Sequence, residues 1–227
     1  MQKSTDDPFD RDALRARFLV YTGKAYRAVP CIKKPRILDI GCGSGVPTIE
    51  LARLCDGVVI GIDVDAGQLV VFCQNVQEAG MQYRVAAVRC SMMQVPFSDN
   101  AFDIVWAEGS IALIGFQEGL RRWRCLIRPS GYLVLHDNVD NITGKQKWID
   151  ECGYRLIDHF IIGKDVWWDI YYRPLQEKIR SYAGKADRSN DETKTMHALK
   201  LEIDQFHSNP AYHGSAFFII QRDDRND

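Results

Sequence analysis

"RILDIGCGSGVPTIELA", residues 36–52, runs a short apolar strand pattern into three glycines spaced one apart and then into a helical pattern. A glycine turn leaving a parallel strand lets the backbone approach a ligand closely, because a side chain there would block the ligand or forbid the required dihedrals. Two ligand classes suit such a turn. A dinucleotide site reads G-x-G-x-x-G or G-x-G-x-x-A, its last small residue letting the helix pack tightly on the sheet. Counted from Gly41, that position is Val46, and the third glycine arrives early as Gly45. Pro47 has no N–H to offer a pyrophosphate, although proline is well tolerated in a first helical turn. The dinucleotide fingerprint therefore fails at its packing position.

Outward from the turn, strand-like and helix-like runs alternate. "RILDIG", "PTIELARLC", "GVVIGID", "AGQLVVFCQNVQEAG" and "YRVAAVRC" read as βαβ units and hence a parallel sheet. After the turn-rich "VPFSDNA" come the strand "FDIVWAEG", the helix "FQEGLRRWRCLI", the break "RPSG", the strand "YLVLHDN" and a short helix in "KQKWIDECG". Two more strands are expected, "YRLIDHFII" at 154–162 and "GSAFFIIQ" at 214–221. Unstructured loops as long as the segment between them are uncommon, so the insertion 163–212 is expected to be helical. Within it Met196, Leu199, Ile203 and Phe206 recur at helical spacing, and Pro174 is expected to split "VWWDIYYRPLQEKIRSYAG". Residues 9–28, "FDRDALRARFLVYTGKAYRA", read as helix within an N-terminal cap over 1–30. The expected organisation is a single domain over 1–227 carrying that cap and that insertion, with "RDDRND" as a solvated end.

Composition narrows the partners. With 29 basic and 30 acidic side chains the formal net charge is −1, which leaves no electrostatic footprint for nucleic acid. No apolar run approaches the roughly 18 residues of a membrane helix, and "MQKSTDDPFDRD" lacks the apolar core and cleavage site of a signal peptide. The chain is expected to be cytoplasmic, with a small molecule as its partner and a homodimer as the compatible assembly. The seven cysteines, Cys31, Cys42, Cys55, Cys73, Cys90, Cys125 and Cys152, are scattered and form no C-x-x-C pair. They read as free thiols in a reducing compartment, with no metal site.

"ILDIGCGSG" matches D-x-G-x-G-x-G at Asp39, Gly41, Gly43 and Gly45, and so resembles the first motif of the class I S-adenosylmethionine-dependent methyltransferases, in particular the small-molecule, type 11-like group. The resemblance extends over most of the chain. It implies a Rossmann-like three-layer α/β sandwich with a seven-stranded, mostly parallel sheet and an antiparallel last strand. It also implies S-adenosylmethionine as cofactor and S-adenosylhomocysteine as its product. In that family the glycine turn wraps the methionine portion, and an acidic residue ending the second strand holds the ribose hydroxyls. "VVIGID" ends in Asp63 at the required spacing, and a carboxylate can accept two hydrogen bonds from a vicinal diol. The other reading of Asp63 is a loop cap. Asp39 either meets the cofactor's ammonium, directly or through water, or orients the turn. "VPFSDNAFDIV" follows the family's L-P-F-x-D-x-x-F-D-x-V at Val95, Pro96, Phe97, Asp99, Phe102, Asp103 and Val105. Many members carry, four residues earlier, an Asp that accepts from the adenine amino group. This chain departs from them with the shorter, neutral Ser91. The Met92 backbone could read the base edge instead, and Met92 and Met93 either wall the adenine or pack in the core.

Methyl transfer from a sulfonium is an in-line displacement, so the protein positions two reactants and excludes water. An alcohol, phenol or ammonium acceptor also needs a base within hydrogen-bond reach. The crevice at the carboxyl ends of parallel strands selects Glu108, His136 and Asp137, from "AEGS" and "HDN". An unperturbed His136 titrates near neutrality, although a lone strand-end histidine is more often a satisfied structural group. Glu108 stands where the family often presents a cofactor- or substrate-facing residue. The D-P-P-Y or N-P-P-Y pattern of enzymes methylating adenine or glutamine is missing, which disfavours those substrates. "DVWWDIYYRP" places Trp167, Trp168, Tyr171 and Tyr172 in six residues, and i,i+4 spacing pairs Trp167 with Tyr171 and Trp168 with Tyr172. One stripe is expected in the core. The other either packs or lines a substrate pocket under a helical lid, suiting an apolar, aromatic or cationic acceptor. Tyr21 and Tyr26 either close the cofactor side or pack. Two rival functions are an NAD(P)-dependent oxidoreductase, weakened by Val46 and the lack of a Tyr-x-x-x-Lys pair, and a non-catalytic S-adenosylmethionine-binding domain.

Overall fold

Strands buried on both faces read as near-continuous apolar runs, which is the character of "RILDI" and its neighbours. The computed structural model describes residues 9, 11–183, 189–209 and 214–224. The parts of the N-terminal cap, the insertion and the acidic tail at 1–8, 10, 184–188, 210–213 and 225–227 lie outside the described residues. The strands are β1 (Arg36–Ile40), β2 (Val58–Asp63), β3 (Val85–Arg89), β4 (Phe102–Glu108), β5 (Ile127–Asn138), β6 (Tyr154–Gly163) and β7 (Gly214–Arg222). They form one sheet in the order β3-β2-β1-β4-β5-β7-β6. β1 to β5 pair in parallel, while β7 runs antiparallel to both β5 and β6. This is a Rossmann-like sandwich with the antiparallel last strand that the family resemblance implied. The strand order reverses at β1, so the ligand crevice of such a sheet opens at the carboxyl ends of β1 and β4.

Helices cover both faces: α1 (Arg11–Ala16), α2 (Leu19–Ala28), α3 (Val46–Leu54), α4 (Ala66–Glu78), α5 (Phe116–Trp123), α6 (Ile142–Glu151), α7 (Lys164–Trp167), α8 (Arg173–Ala183) and α9 (Asn190–Ser208). Side chains alternate along a strand, so each strand feeds two cores. Ile37, Ile104, Trp106, Val134 and Phe217 join a cluster with α1 to α4, α8 and α9. Leu38, Val105, Leu133 and Phe218 join the opposite cluster with α5 and α6. Asp39, Glu108 and His136 fall on the first face by the same alternation. Glu108 stands directly beside His136 in the β4–β5 register.

Three local readings change. The stretch 9–28 is not one helix: the chain turns at Arg17 and Phe18, and the buried Phe18 ring packs 4.3 Å from Trp167. "RPSG" is not a break between elements but a bulge inside β5. Phe102 pairs with Ile127 and Ile104 with Tyr132, so the intervening residues arch out, with Ser130 at φ 60°. Pro129 has no N–H to donate to a ladder there, and Asp103 fastens the arch by accepting from Arg128 at 2.6 Å. Pro174 does not split its helix. A π-helical segment, Trp168–Tyr172, leads from α7 into α8, and its wider i→i+5 turn accommodates the proline.

Candidate active site

The turn after β1 holds Gly41, Gly43 and Gly45 at φ 76°, 53° and 83°, a left-handed conformation that side chains rarely adopt. Their surroundings differ. A Cβ on Gly41 would stand 2.4 Å from Ser110 Cβ, and one on Gly45 would stand 2.0 Å from the Phe72 ring. A Cβ on Gly43 would find only Gln68 Oε1, at 3.8 Å. Gly41 and Gly45 are therefore demanded by packing, and Gly43 faces open space. The Gly43 N–H donates to Asp63 Oδ2 at 2.9 Å, and the Asp65 N–H donates to Asp63 Oδ1 at 3.0 Å. Asp63 thus clamps the turn to the end of β2, and a carboxylate so engaged keeps a further lone pair on each oxygen.

Asp39 is buried and accepts from Thr48 Oγ1 at 2.6 Å. Burial pushes its pKa up to about 7, opposed by the Thr48 hydrogen bond and reinforced by the charge of Asp63. Trp106 and Glu108, two apart on β4, share a face, and the indole Nε1–H donates to Glu108 Oε2 at 3.1 Å. From α2 the buried Thr22 hydroxyl reaches both Glu108 oxygens at 3.1 Å. Desolvation raises Glu108 to about 7, against the Trp106 bond, with Asp39 adding to the rise and Thr22 opposing it.

His136 is held in a relay. Trp167 Nε1–H can only donate, so Ser215 Oγ accepts it at 2.8 Å, and the same oxygen shares a hydrogen bond with His136 Nε2 at 2.7 Å. Desolvation lowers the pKa of His136 to about 4, with Asp137 opposing, so the ring is neutral near pH 7 and its Nε2 is engaged by Ser215.

These groups enclose a cavity of about 410 Å³. Gly41, Gly43, Asp39, Glu108 and His136 line it together with Phe18, Trp167, Tyr171 and Tyr172, with Arg15 and Glu202 also in the wall. A second hollow, about 490 Å³ beside Ser130, Arg155 and Gln221, lies at the other end of β5 and holds none of the candidate residues.

A family described as "Methyltransferase domain" matches residues 37–131, the span from β1 to the β5 bulge. The match falls on the stretch that carries the resemblance to the class I S-adenosylmethionine-dependent methyltransferases. It is 31% identical over 134 residues to the methyltransferase GfsG of Streptomyces halstedii, covering 59% of this chain and 48% of that one. It is 28% identical over 181 residues to the ubiquinone/menaquinone biosynthesis C-methyltransferase UbiE of Blochmanniella pennsylvanica, covering 77% of this chain and 67% of that one. The chain spans about half the length of the first of these relatives. Among solved structures, an S-adenosylmethionine-dependent methyltransferase of Geobacter sulfurreducens in complex with S-adenosylhomocysteine superposes with a TM-score of 0.72 at 17% identity, covering 90% of each chain.

The residues of this site fit S-adenosylmethionine, the cofactor of the family that the chain resembles. Gly43 leaves the space a ligand needs, and among the described residues no Lys or Arg forms an ion pair with Asp39, Asp63 or Glu108, which suits a cationic guest. Not every candidate reaches the cavity. Asp137 follows His136 by one residue and so points to the opposite face, where Lys145 of α6 pairs with it at 2.7 Å, both side chains 6% exposed. Trp168 turns away to stack on Phe206, 6.1 Å between centroids, and lies 4.5 Å from His207. The π segment explains the regrouping: an i→i+5 turn sets Trp167 against both Tyr171 and Tyr172, at 6.1 and 6.3 Å.

Ser91 and Met92 lie past the end of β3, on the sheet's carboxyl edge but outside the cavity wall. Ser91 Oγ accepts the Met93 N–H at 3.2 Å, and the Met92 carbonyl accepts Trp123 Nε1–H at 3.0 Å. Tyr21 packs toward Phe18 and Phe160, and Tyr26, whose hydroxyl burial pushes up to about 12, packs against the same core. The sequence reading passed over Thr22, Ser215, Phe18, Arg15 and Glu202. Leu14, Phe18, Thr22 and Ala25 are spaced as one buried helix face, which was a visible signal. Ser215 had none, because its partners come from β5 and α7.

Proposed function

We propose that this chain transfers a methyl group from S-adenosylmethionine to a small-molecule acceptor in the cytoplasm. The observation that carries the reading is Gly43, whose N–H is fixed by Asp63 while its missing side chain faces the cavity. The cofactor supplies an activated methyl on a sulfonium. The residues supply the rest. Gly41 and Gly43 admit the methionine portion, and the free lone pairs of Asp63 accept the ribose hydroxyls. Asp39 orients the turn through Thr48 and lends negative charge, while Ser91 and Met92 border the adenine. Trp167, Tyr171 and Tyr172 cover the acceptor and exclude water. His136, neutral and with Nε2 engaged by Ser215, serves as a fixed part of the cavity wall rather than as a base. All seven cysteines are free, in keeping with a reducing compartment, and no helix among the described residues is long and apolar enough to cross a membrane. Calorimetry of S-adenosylmethionine with Asp63→Ala and Gly43→Val proteins tests the cofactor site. A loss of at least tenfold is expected in each, and unchanged affinity in both would refute the assignment. Methyl-labelled cofactor incubated with a metabolite extract separates transfer from mere binding.

A further inference from the structure

The cavity has an unusual charge balance. Asp39, Glu108 and Glu202 bring three carboxylates to its wall, and Arg15 is the cation that lines it. The Arg15 charge acts on Glu202, while Glu108 is met by two neutral donors, Thr22 and Trp106. Asp39 and Glu108, each pushed up to about 7, share their negative charge near neutrality, and the net positive charge of S-adenosylmethionine draws both toward the ionised form. Aromatic faces gather around the same space. Trp167 meets Tyr171 at 78° and Tyr171 meets Tyr172 at 88°, Phe18 packs 4.3 Å from Trp167, and all four residues line the cavity. Aromatic side chains and a carboxylate lining one cavity suit an organic cation.

We propose that the acceptor is a small amine bound as its ammonium ion, that methylation occurs on nitrogen, and that Glu108 takes the proton. The proposal rests on the methyl-transfer reading above. The ionised Glu108 carboxylate accepts one proton from the ammonium, freeing the nitrogen lone pair. That pair forms the N–C bond as the C–S bond of the sulfonium breaks with its electrons going to sulfur, leaving a thioether and an N-methylammonium product. The raised pKa of Glu108 assists. An amine near 10 gives its proton to an ordinary carboxyl against a gap of about six pH units, and to a group near 7 against about three.

The test uses the full chain loaded with S-adenosylhomocysteine and two probes of matched shape, choline and its neutral carbon isostere 3,3-dimethylbutan-1-ol. Choline is expected to bind at least tenfold tighter, and Glu108→Gln, which keeps an acceptor for Thr22 and Trp106, is expected to remove most of that preference. Carbon-13 methyl-labelled cofactor with a metabolite extract is then expected to yield label on nitrogen in the carbon–proton correlation spectrum. Failure of S-adenosylhomocysteine to bind, or binding with no labelled product, defeats the methyl-transfer reading itself. Equal affinity for the two probes, or label on oxygen, carbon or sulfur, overturns the amine alone.

Discussion

Alanine at Gly43 and alanine at Gly45 are chemically the same change two residues apart, and they are expected to fail in different ways. At Gly45 the new methyl would lie 2.0 to 2.8 Å from three atoms of the Phe72 ring, which is itself fully buried. The left-handed dihedral costs about 1–2 kcal/mol for an L-residue, and forcing a methyl into a packed core about 1–3 kcal/mol more. Together that is about 2–5 kcal/mol, a large share of the roughly 5–15 kcal/mol that stabilises a domain. At Gly43 the nearest atom lies at 3.8 Å, so only the dihedral term applies, about 1–2 kcal/mol. The Gly43 methyl would instead stand in the cavity, where it is expected to weaken S-adenosylhomocysteine by at least tenfold. Urea unfolding measures the first quantity and calorimetry the second. Equal destabilisation by the two substitutions, or wild-type affinity in Gly43→Ala, would refute the division of the motif into packing and ligand-facing glycines.

Two further predictions concern the carboxylates. Asp137→Ala leaves the Lys145 ammonium buried without its counter-ion and is expected to cost about 3–5 kcal/mol in urea unfolding while cofactor affinity stays within twofold; lost affinity at unchanged stability would return Asp137 to the active site. Asp39 holds its proton more tightly folded, near 7, than unfolded, near 3.8, so its contribution is fully present below pH 3.8 and is lost as the pH rises through 7. Between pH 5.5 and 8 the wild type is therefore expected to lose on the order of 2 kcal/mol more stability than Asp39→Asn. A wild-type protein that gains stability relative to Asp39→Asn over that interval contradicts the assignment.

The fold was legible wherever a local pattern carries the information. The alternation of apolar runs produced the parallel strands, and "DIGCGSG" located the turn and its helix, because dihedral demands and hydrophobic periodicity act over a few residues. The places that misled were local rules overridden by neighbours: Pro174 reads as a helix end until a π turn makes room for it, and "RPSG" reads as a break until Asp103 holds it as a bulge. The same π turn undid the i,i+4 pairing of the aromatic run, bringing Tyr172 to Trp167 and sending Trp168 elsewhere.

By itself, then, the sequence determined the sheet, the glycine turn and the separation of Asp63 from that turn, while it grouped His136 and Asp137 in one crevice although neighbouring strand residues face opposite ways. Only the tertiary structure decided which of those two faces bears the cavity, because that depends on which helices cover each side. It also decided the partners of the charged and polar groups. Thr22 meets Glu108 across 86 residues and Ser215 meets His136 across 79, contacts set by strand order and register that no local spacing encodes.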